Sequence, residues 1–113
     1  MGEQVSLIYL YGFSTLLESK LITLFQILKN QVNQNAQISI VFIHDGVIGT
    51  ALKNKISPAM EELLKLPLSF FTLIPDLKAR GLDFKNLQNN IKGIEYEDLV
   101  DLLVVTSKIV SWM

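Results

Sequence analysis

The chain has no cysteine, one histidine and one tryptophan among its 113 residues. Without a thiol it cannot form a disulfide, bind zinc through sulfur or carry sulfur on its own side chains. A single histidine with scattered carboxylates also gives no tetrahedral ligand set for zinc. The sequence therefore predicts no metal site, no cofactor and no sulfur chemistry on this chain alone.

The chain also has no large excess of positive or negative charge, because ten basic and eleven acidic residues give a net charge of -1. No cluster of Lys and Arg is interleaved with aromatic residues, so we expect no direct binding to nucleic acid. No charge-free stretch reaches the roughly 20 residues of a membrane span, and the first residues lack the basic start of a signal peptide. We expect a soluble, cytoplasmic protein that does not enter the membrane, although MGEQVS fits the loose pattern for myristoylation of Gly2.

Half of the residues are hydrophobic and 19% are charged. This composition argues against disorder, and the length suits one domain that spans residues 1–113. So much apolar surface also favours burial against other subunits, so we expect a homo-oligomer or a hetero-oligomer.

Short apolar runs, most of them rich in β-branched or aromatic residues, predict the strands. They cover Gln4–Tyr11, Ile38–Ile43, Leu68–Ile74 and Ile91–Ile94, and the closing KIVSWM is a further candidate.

The segments between these runs are predicted to form helices. Apolar residues recur at helical spacing from Leu17 to Val32, and TLLE, from Thr15 to Glu18, matches a capping box at the start of that helix. Ser57 and Pro58 suit the cap and first turn of a second helix. The segment PDLKARG begins with Pro and ends with Gly, which predicts one or two helical turns between them. A last helix is predicted to begin near EYED, where acidic residues at the N-terminal end interact favourably with the helix dipole.

Apolar strands that alternate with helices define the expected fold class. We predict a single-domain, three-layer α/β fold of the Rossmann-like or flavodoxin-like type, with a mainly parallel sheet of four or five strands. Ligands of such sheets bind at the carboxyl ends of the strands. Loops after the first three strands should therefore bring Ser14, Asp45, Gly46 and Pro75 to one edge of the molecule.

The segment HDGVIGT, which follows the second strand, allows several interpretations. Backbone N–H groups at Gly46 and Gly49 could hold an anion or a loop of a partner, or the glycines could only form a turn. The spacing matches neither a P-loop nor a dinucleotide fingerprint. His44 could act as a general base, although there is no thiol to activate, and Asp45 could accept a phosphoryl group, although the first strand ends in no paired carboxylates. A structural or interface role is the simpler interpretation of both residues.

Arg80 and Trp112 each allow two interpretations. Arg80 could bind a phosphate or a carboxylate of a partner, or it could complement the dipole at the end of a short helix. Trp112 could equally fill the core or anchor an interface.

The order of the motifs gives a more specific indication. FIHDGV closes the second strand, IPDLKARGL follows the third, and IEYEDLVDLL precedes a terminal SW. In this order the motifs resemble the DsrH/TusB branch of the DsrE/DsrF/DsrH-like sulfur-relay family. Members of that family show an aspartate-glycine turn, an acidic residue before ARGL and a Trp near the C-terminus. The resemblance extends from about Val5 to Trp112.

This resemblance implies a small α/β subunit of a hetero-oligomer that passes persulfide sulfur between cysteines. The implied partners are homologous, cysteine-bearing DsrE/DsrF-like (TusD/TusC-like) subunits in the cytoplasm, which act toward 2-thiouridine at the tRNA wobble position or in sulfur oxidation. The sister subunits carry their cysteine near the positions of Leu73 and Ile74 in this sequence, so the resemblance implies a non-catalytic subunit. The positions that match the motifs are Asp45, Gly46, Ala79, Arg80 and Gly81. The candidate binding or interface residues are Ser14, His44, Asp45, Gly46, Asp76, Arg80, Gly81 and Trp112.

Two other hypotheses remain open at the level of the sequence. The chain could be a free-standing, homo-oligomeric module that binds a small ligand or an anion through its strand-end loops. It could also be an enzyme that uses Asp45 and His44.

Overall fold

The computed structural model describes residues 6–15, 17–34, 37–51, 56–106 and 108–112. The myristoylation pattern at Gly2 and the first two residues predicted for the first strand, Gln4 and Val5, lie outside these ranges.

A parallel sheet of five strands forms the middle layer. The strands are β1 Ser6–Tyr11, β2 Gln37–Phe42, β3 Ser69–Leu73, β4 Ile91–Ile94 and β5 Lys108–Trp112. Their order in the sheet is β4-β3-β2-β1-β5, and all four neighbouring pairs are parallel. The predicted fold class is confirmed, and the closing apolar run does form a strand, which pairs with β1.

The helices follow the strands in alternation. They are α1 Glu18–Asn33, a 3₁₀ helix His44–Thr50, α2 Pro58–Leu64, α3 Ile74–Ala79 and α4 Tyr96–Val105. The hydroxyl of Ser57 accepts the backbone N–H of Met60 at 3.2 Å, so the predicted cap of α2 is confirmed. None of the helices built from described residues is long and apolar enough to cross a membrane.

The predicted capping box at the start of α1 is wrong. Leu17 is the N-cap and is exposed, and its side chain makes no capping hydrogen bond. Thr15 is instead buried, and a β-carbon at Gly49 would collide with its hydroxyl oxygen. The Glu18 carboxylate accepts the backbone N–H of Ala59, at 3.2 Å, across the gap to α2. Both residues of the local motif therefore make tertiary contacts.

The two faces of the sheet are covered unequally. On one face, α1 and α2 bury a large cluster that includes Leu21, Leu24, Leu28, Met60 and Leu63. On the other face, α4 is the only helix within the described ranges that adds side chains to a smaller cluster around Ile8, Val41, Ile43, Leu73 and Ile94. Those side chains are only partly buried, and α4 contains no buried residue. One face of the sheet therefore supplies most of the core.

Two positions on α1 test this description of the core. We expect Leu24→Ala to lower the free energy of unfolding by about 2–5 kcal/mol, because Leu24 is fully buried and its removal leaves a cavity. Ile22→Ala, on the exposed side of the same helix, should cost less than about 1 kcal/mol. Urea unfolding followed by circular dichroism measures both, and equal losses would contradict the assignment of the buried face.

Candidate functional site

The carboxyl ends of the strands bring the predicted site residues to one edge of the sheet. Ser14 follows β1, the segment His44–Gly46 opens the 3₁₀ helix after β2, and Pro75 lies in the first turn of α3 directly after β3. Trp112 ends β5 at the same edge, since all the strands are parallel. Three loops and a strand end thus form one continuous rim.

A hydrogen bond from backbone to carboxylate joins two of these loops. Asp76 is buried, and its Oδ2 atom accepts the backbone N–H of His44 at 2.7 Å. His44 has a φ of 49°, in the left-handed region that residues with a side chain seldom adopt. The buried carboxylate therefore stabilises an unfavourable backbone conformation at the start of the 3₁₀ helix.

Arg80 connects the same two loops on their outer side. Its Nε and Nη2 atoms donate to Oδ1 of Asp45 at 3.3 and 3.1 Å, and its Nη1 atom donates to the backbone carbonyl of Asp76 at 3.2 Å. The Asp45 side chain is 61% exposed. An ion pair this accessible to solvent contributes at most about 1 kcal/mol, so its main effect is to orient the two side chains.

Close packing explains the glycine that follows this pair. A β-carbon at Gly46 would overlap the backbone carbonyl oxygen of Tyr11, at the end of the interior strand β1. The Gly46 N–H donates to the carbonyl of Ile43 at 2.8 Å. This donor is already used inside the turn, which weakens the interpretation of Gly46 as part of an anion-binding loop.

An aromatic cluster lies beneath the rim. The ring of Tyr11 packs against Phe13 and Phe42 edge to face, with centroids 6.0 Å apart, and against Trp112 at 6.3 Å. The Trp112 carbonyl accepts the N–H of Gly12 at 2.8 Å. Trp112 is partly buried against the larger core cluster, so its ring contributes to the core while part of it remains accessible.

Burial also changes the acidity of Tyr11. Its hydroxyl has no hydrogen-bond partner among the described residues, and burial raises the pKa of Tyr11 to about 12, because the phenolate would lose its hydration. Sequence reasoning did not single out this residue. The only local signal is a Tyr as the last residue of a buried strand.

The remaining predicted positions are outside this network. Gly81 follows the end of α3 with a φ of 66°, and a β-carbon there would meet nothing within 4 Å, so its role is to end the helix. Leu73 is buried and Ile74 partly buried, and both have only hydrocarbon side chains.

Charges at the rim largely satisfy one another, which limits its chemistry. Arg80 pairs with Asp45, and Asp76 is bound to the main chain of His44. Within the described ranges no group of three metal-ligating side chains occurs. The arrangement is a fixed surface with an accessible Asp–Arg pair.

Fold and rim together define an α/β protein with a Rossmann-like, all-parallel sheet and its candidate site at the carboxyl edge. The family model described as "DsrH like protein" matches residues 14–109, and the chain therefore belongs to the DsrH-like family. The resemblance inferred from the order of the motifs is thus confirmed.

Two solved structures are similar in fold. The crystal structure of the ychN protein from E. coli has a TM-score of 0.78 at 11% identity, and the alignment covers 96% of this chain and 100% of that one. MTH1491, a protein of unknown function from Methanobacterium thermoautotrophicum, has a TM-score of 0.71 at 17% identity, with coverage of 96% and 99%. No curated protein sequence matches the chain. At these identities the similarity concerns the fold.

Substitution by alanine should lower the free energy of unfolding by different amounts at Gly46 and Gly81. We expect Gly46→Ala to cost more than about 3 kcal/mol of unfolding free energy, because the atom in the way belongs to the backbone of β1. Gly81→Ala should cost only about 1–2 kcal/mol, the penalty of a left-handed conformation in open space. Denaturant unfolding of both variants measures the difference, and a similar loss for the two would contradict the close packing.

Tyr11 predicts how stability changes in alkaline solution. The ordinary pKa of 10.0 applies to the unfolded chain, and the value of about 12 applies to the folded one. Below both pKa values the Tyr11 hydroxyl keeps its proton in the folded and in the unfolded state, so its full contribution to the free energy of unfolding is present. Above pH 10 the unfolded state releases its proton first, so the contribution disappears as the pH rises through 12.

We therefore expect the free energy of unfolding of Tyr11→Phe to fall by about 2 kcal/mol less than that of the wild type between about pH 9 and pH 11.5. Urea unfolding of both proteins at each pH measures this difference, and the other tyrosines and the lysines cancel in the comparison. Identical losses would show that Tyr11 titrates normally.

Proposed function

We propose that this chain is a non-catalytic subunit of a sulfur-relay complex whose reactive cysteines belong to other subunits. The observation that carries the proposal is membership of the DsrH-like family by a chain with no cysteine. The positions near which the resemblance implies the cysteine of the sister subunits hold Leu73 and Ile74, whose hydrocarbon side chains cannot bind a persulfide.

The partners we propose are homologous DsrE/DsrF-like (TusD/TusC-like) subunits that carry cysteines, in the cytoplasm. They pass persulfide sulfur from one thiol to the next, toward 2-thiolation of the tRNA wobble uridine or in sulfur oxidation. The role of this chain is to support the assembly in which those thiols lie close to one another.

The carboxyl edge is the surface that suits this role. Gly46 and the bond from His44 to Asp76 fix the backbone of the rim, while the Asp45–Arg80 pair remains accessible. A rigid surface loses little conformational entropy on binding, and oriented charges select the partner more than they add affinity. We therefore place the contact with a sister subunit at Asp45 and Arg80.

A free-standing ligand-binding module is less well supported. The N–H of Gly46 already donates to Ile43, and Gly46 and Gly49 are both buried. An enzyme that uses Asp45 has little support too, because Arg80 pairs with this carboxylate.

Reversal of the charge at the rim tests the proposal. Co-expression with homologous cysteine-bearing subunits, followed by size-exclusion chromatography, should yield a stable complex with the wild-type chain. Asp45→Arg should weaken this association by at least about tenfold, because it places two positive groups at the contact.

Glu62→Arg is the matched control. Glu62 is 58% exposed and pairs with Lys65 at 3.4 Å. Its exposure and its ion pair therefore resemble those of Asp45, but it lies away from the rim. It should leave the complex intact. If the wild-type chain does not associate with any such subunit, the proposed function is wrong; if both variants behave alike, only the assignment of the contact to the rim fails.

A further inference from the structure

Arg80 uses only one oxygen of the Asp45 carboxylate. A guanidinium frequently makes two parallel hydrogen bonds to a carboxylate, one to each oxygen. Here Nε and Nη2 of Arg80 both donate to Oδ1 of Asp45, at 3.3 and 3.1 Å. Within the part of the chain that the structure describes, no hydrogen bond or ion pair reaches Oδ2. The second oxygen therefore keeps its lone pairs for a further donor.

The two members of this ion pair differ in how accessible they are. The side chain of Asp45 is 61% exposed, and that of Arg80 is 29% exposed. Three N–H groups of Arg80 are in use, because Nη1 also donates to the backbone carbonyl of Asp76 at 3.2 Å. A group that approaches the rim from solvent therefore meets the carboxylate more readily than the guanidinium.

The charges of the network favour a positive partner. It joins two carboxylates, Asp45 and Asp76, to one guanidinium, so its net charge is negative. Lys20 begins α1 at the same edge, but its Nζ atom lies 4.2 Å from the centroid of the Phe13 ring, and it forms no ion pair with a described carboxylate. An open carboxylate oxygen in a negative network attracts a cation.

The free oxygen is oriented before any partner binds. Asp45 lies between His44, whose backbone N–H is bound by the Asp76 carboxylate, and Gly46, which packs against the end of β1. The two bonds from Arg80 restrict rotation of the Asp45 side chain. A carboxylate held in this way loses little conformational entropy when a cation binds to it.

We propose that a cysteine-bearing sister subunit places a basic side chain, a lysine ammonium or an arginine guanidinium, on Oδ2 of Asp45. The carboxylate is then shared between Arg80 of this chain and the cation of the partner. Asp45 recognises the partner, and Arg80 is a positioning residue that orients the carboxylate. This inference rests on the proposed function, because it specifies the chemistry of the contact at the rim.

Neutral variants test the sign of the partner's charge. Asp45→Asn removes the negative charge at nearly constant size, so it should weaken binding to the sister subunits by at least about fivefold. Arg80→Gln removes a competing cation but also the bonds that orient Asp45, so the affinity should stay within about threefold of the wild type.

Isothermal titration calorimetry with the purified sister subunits measures these affinities, and circular dichroism checks that each variant folds. Glu62→Gln, in the exposed ion pair on α2, is the control and should leave the affinity unchanged. A larger loss for Arg80→Gln than for Asp45→Asn would show that the partner presents a negative group and would overturn the proposal.

Ionic strength separates the charge of Asp45 from its contribution to the shape of the loop. Salt screens an exposed charge pair, so the affinity of the wild type should fall more steeply with added sodium chloride than that of Asp45→Asn. Equal slopes would mean that Asp45 acts only through the conformation of the rim, which contradicts the inference.

Exchange of charges across the contact identifies the partner's residue. In complexes with Asp45→Lys, each lysine and arginine of the sister subunit is replaced in turn by glutamate. One replacement should restore the affinity by at least about tenfold and should weaken the complex with the wild-type chain. If no replacement does so although the wild-type complex forms, this inference is wrong and the proposed function stands. If the wild-type chain binds no such subunit, both are wrong.

Discussion

The backbone carbonyl of Tyr11 is the point on which the carboxyl edge of the sheet depends. It accepts the N–H of Ile43 at 3.0 Å, and the chain then folds back until Gly46 packs against the same carbonyl group. This turn leaves His44 in a left-handed conformation, which Asp76 stabilises from the neighbouring loop. One glycine and one buried carboxylate therefore hold the ends of β1, β2 and β3 in a fixed relation.

Two surfaces of different character result from this fold. The rim at the carboxyl edge is polar, and its charged groups already have partners in the chain. On α4, by contrast, the apolar side chains of Tyr96, Val100 and Val104 are each more than half exposed. Oriented charges favour selectivity and apolar area favours affinity, so the two surfaces suit different kinds of contact.

The sequence predicts those parts of this structure that local pattern controls. The run Ile91–Ile94 is short and has an isoleucine at each end, and it forms β4 with the same bounds. Thr15 and Glu18 show where local pattern fails, because their side chains make contacts with distant segments in place of the cap that their spacing allows. The bond between His44 and Asp76 joins residues 32 positions apart, and only the arrangement of the strands brings them together. Motif order identified the family, but it could not indicate which charges pair.

The position of β5 has a consequence for synthesis of the chain. β5 completes the sheet beside β1, and the paired residues Leu7 and Lys108 are separated by roughly a hundred positions. A ribosome therefore delivers β1 long before the strand that covers its outer edge. During that interval the backbone N–H and C=O groups on this edge are open to strands of neighbouring nascent chains. Pairing of β5, reinforced by the bond from the Gly12 N–H to the Trp112 carbonyl, covers that edge of β1 and ends the period in which β1 can mispair, and β5 becomes the edge of the sheet.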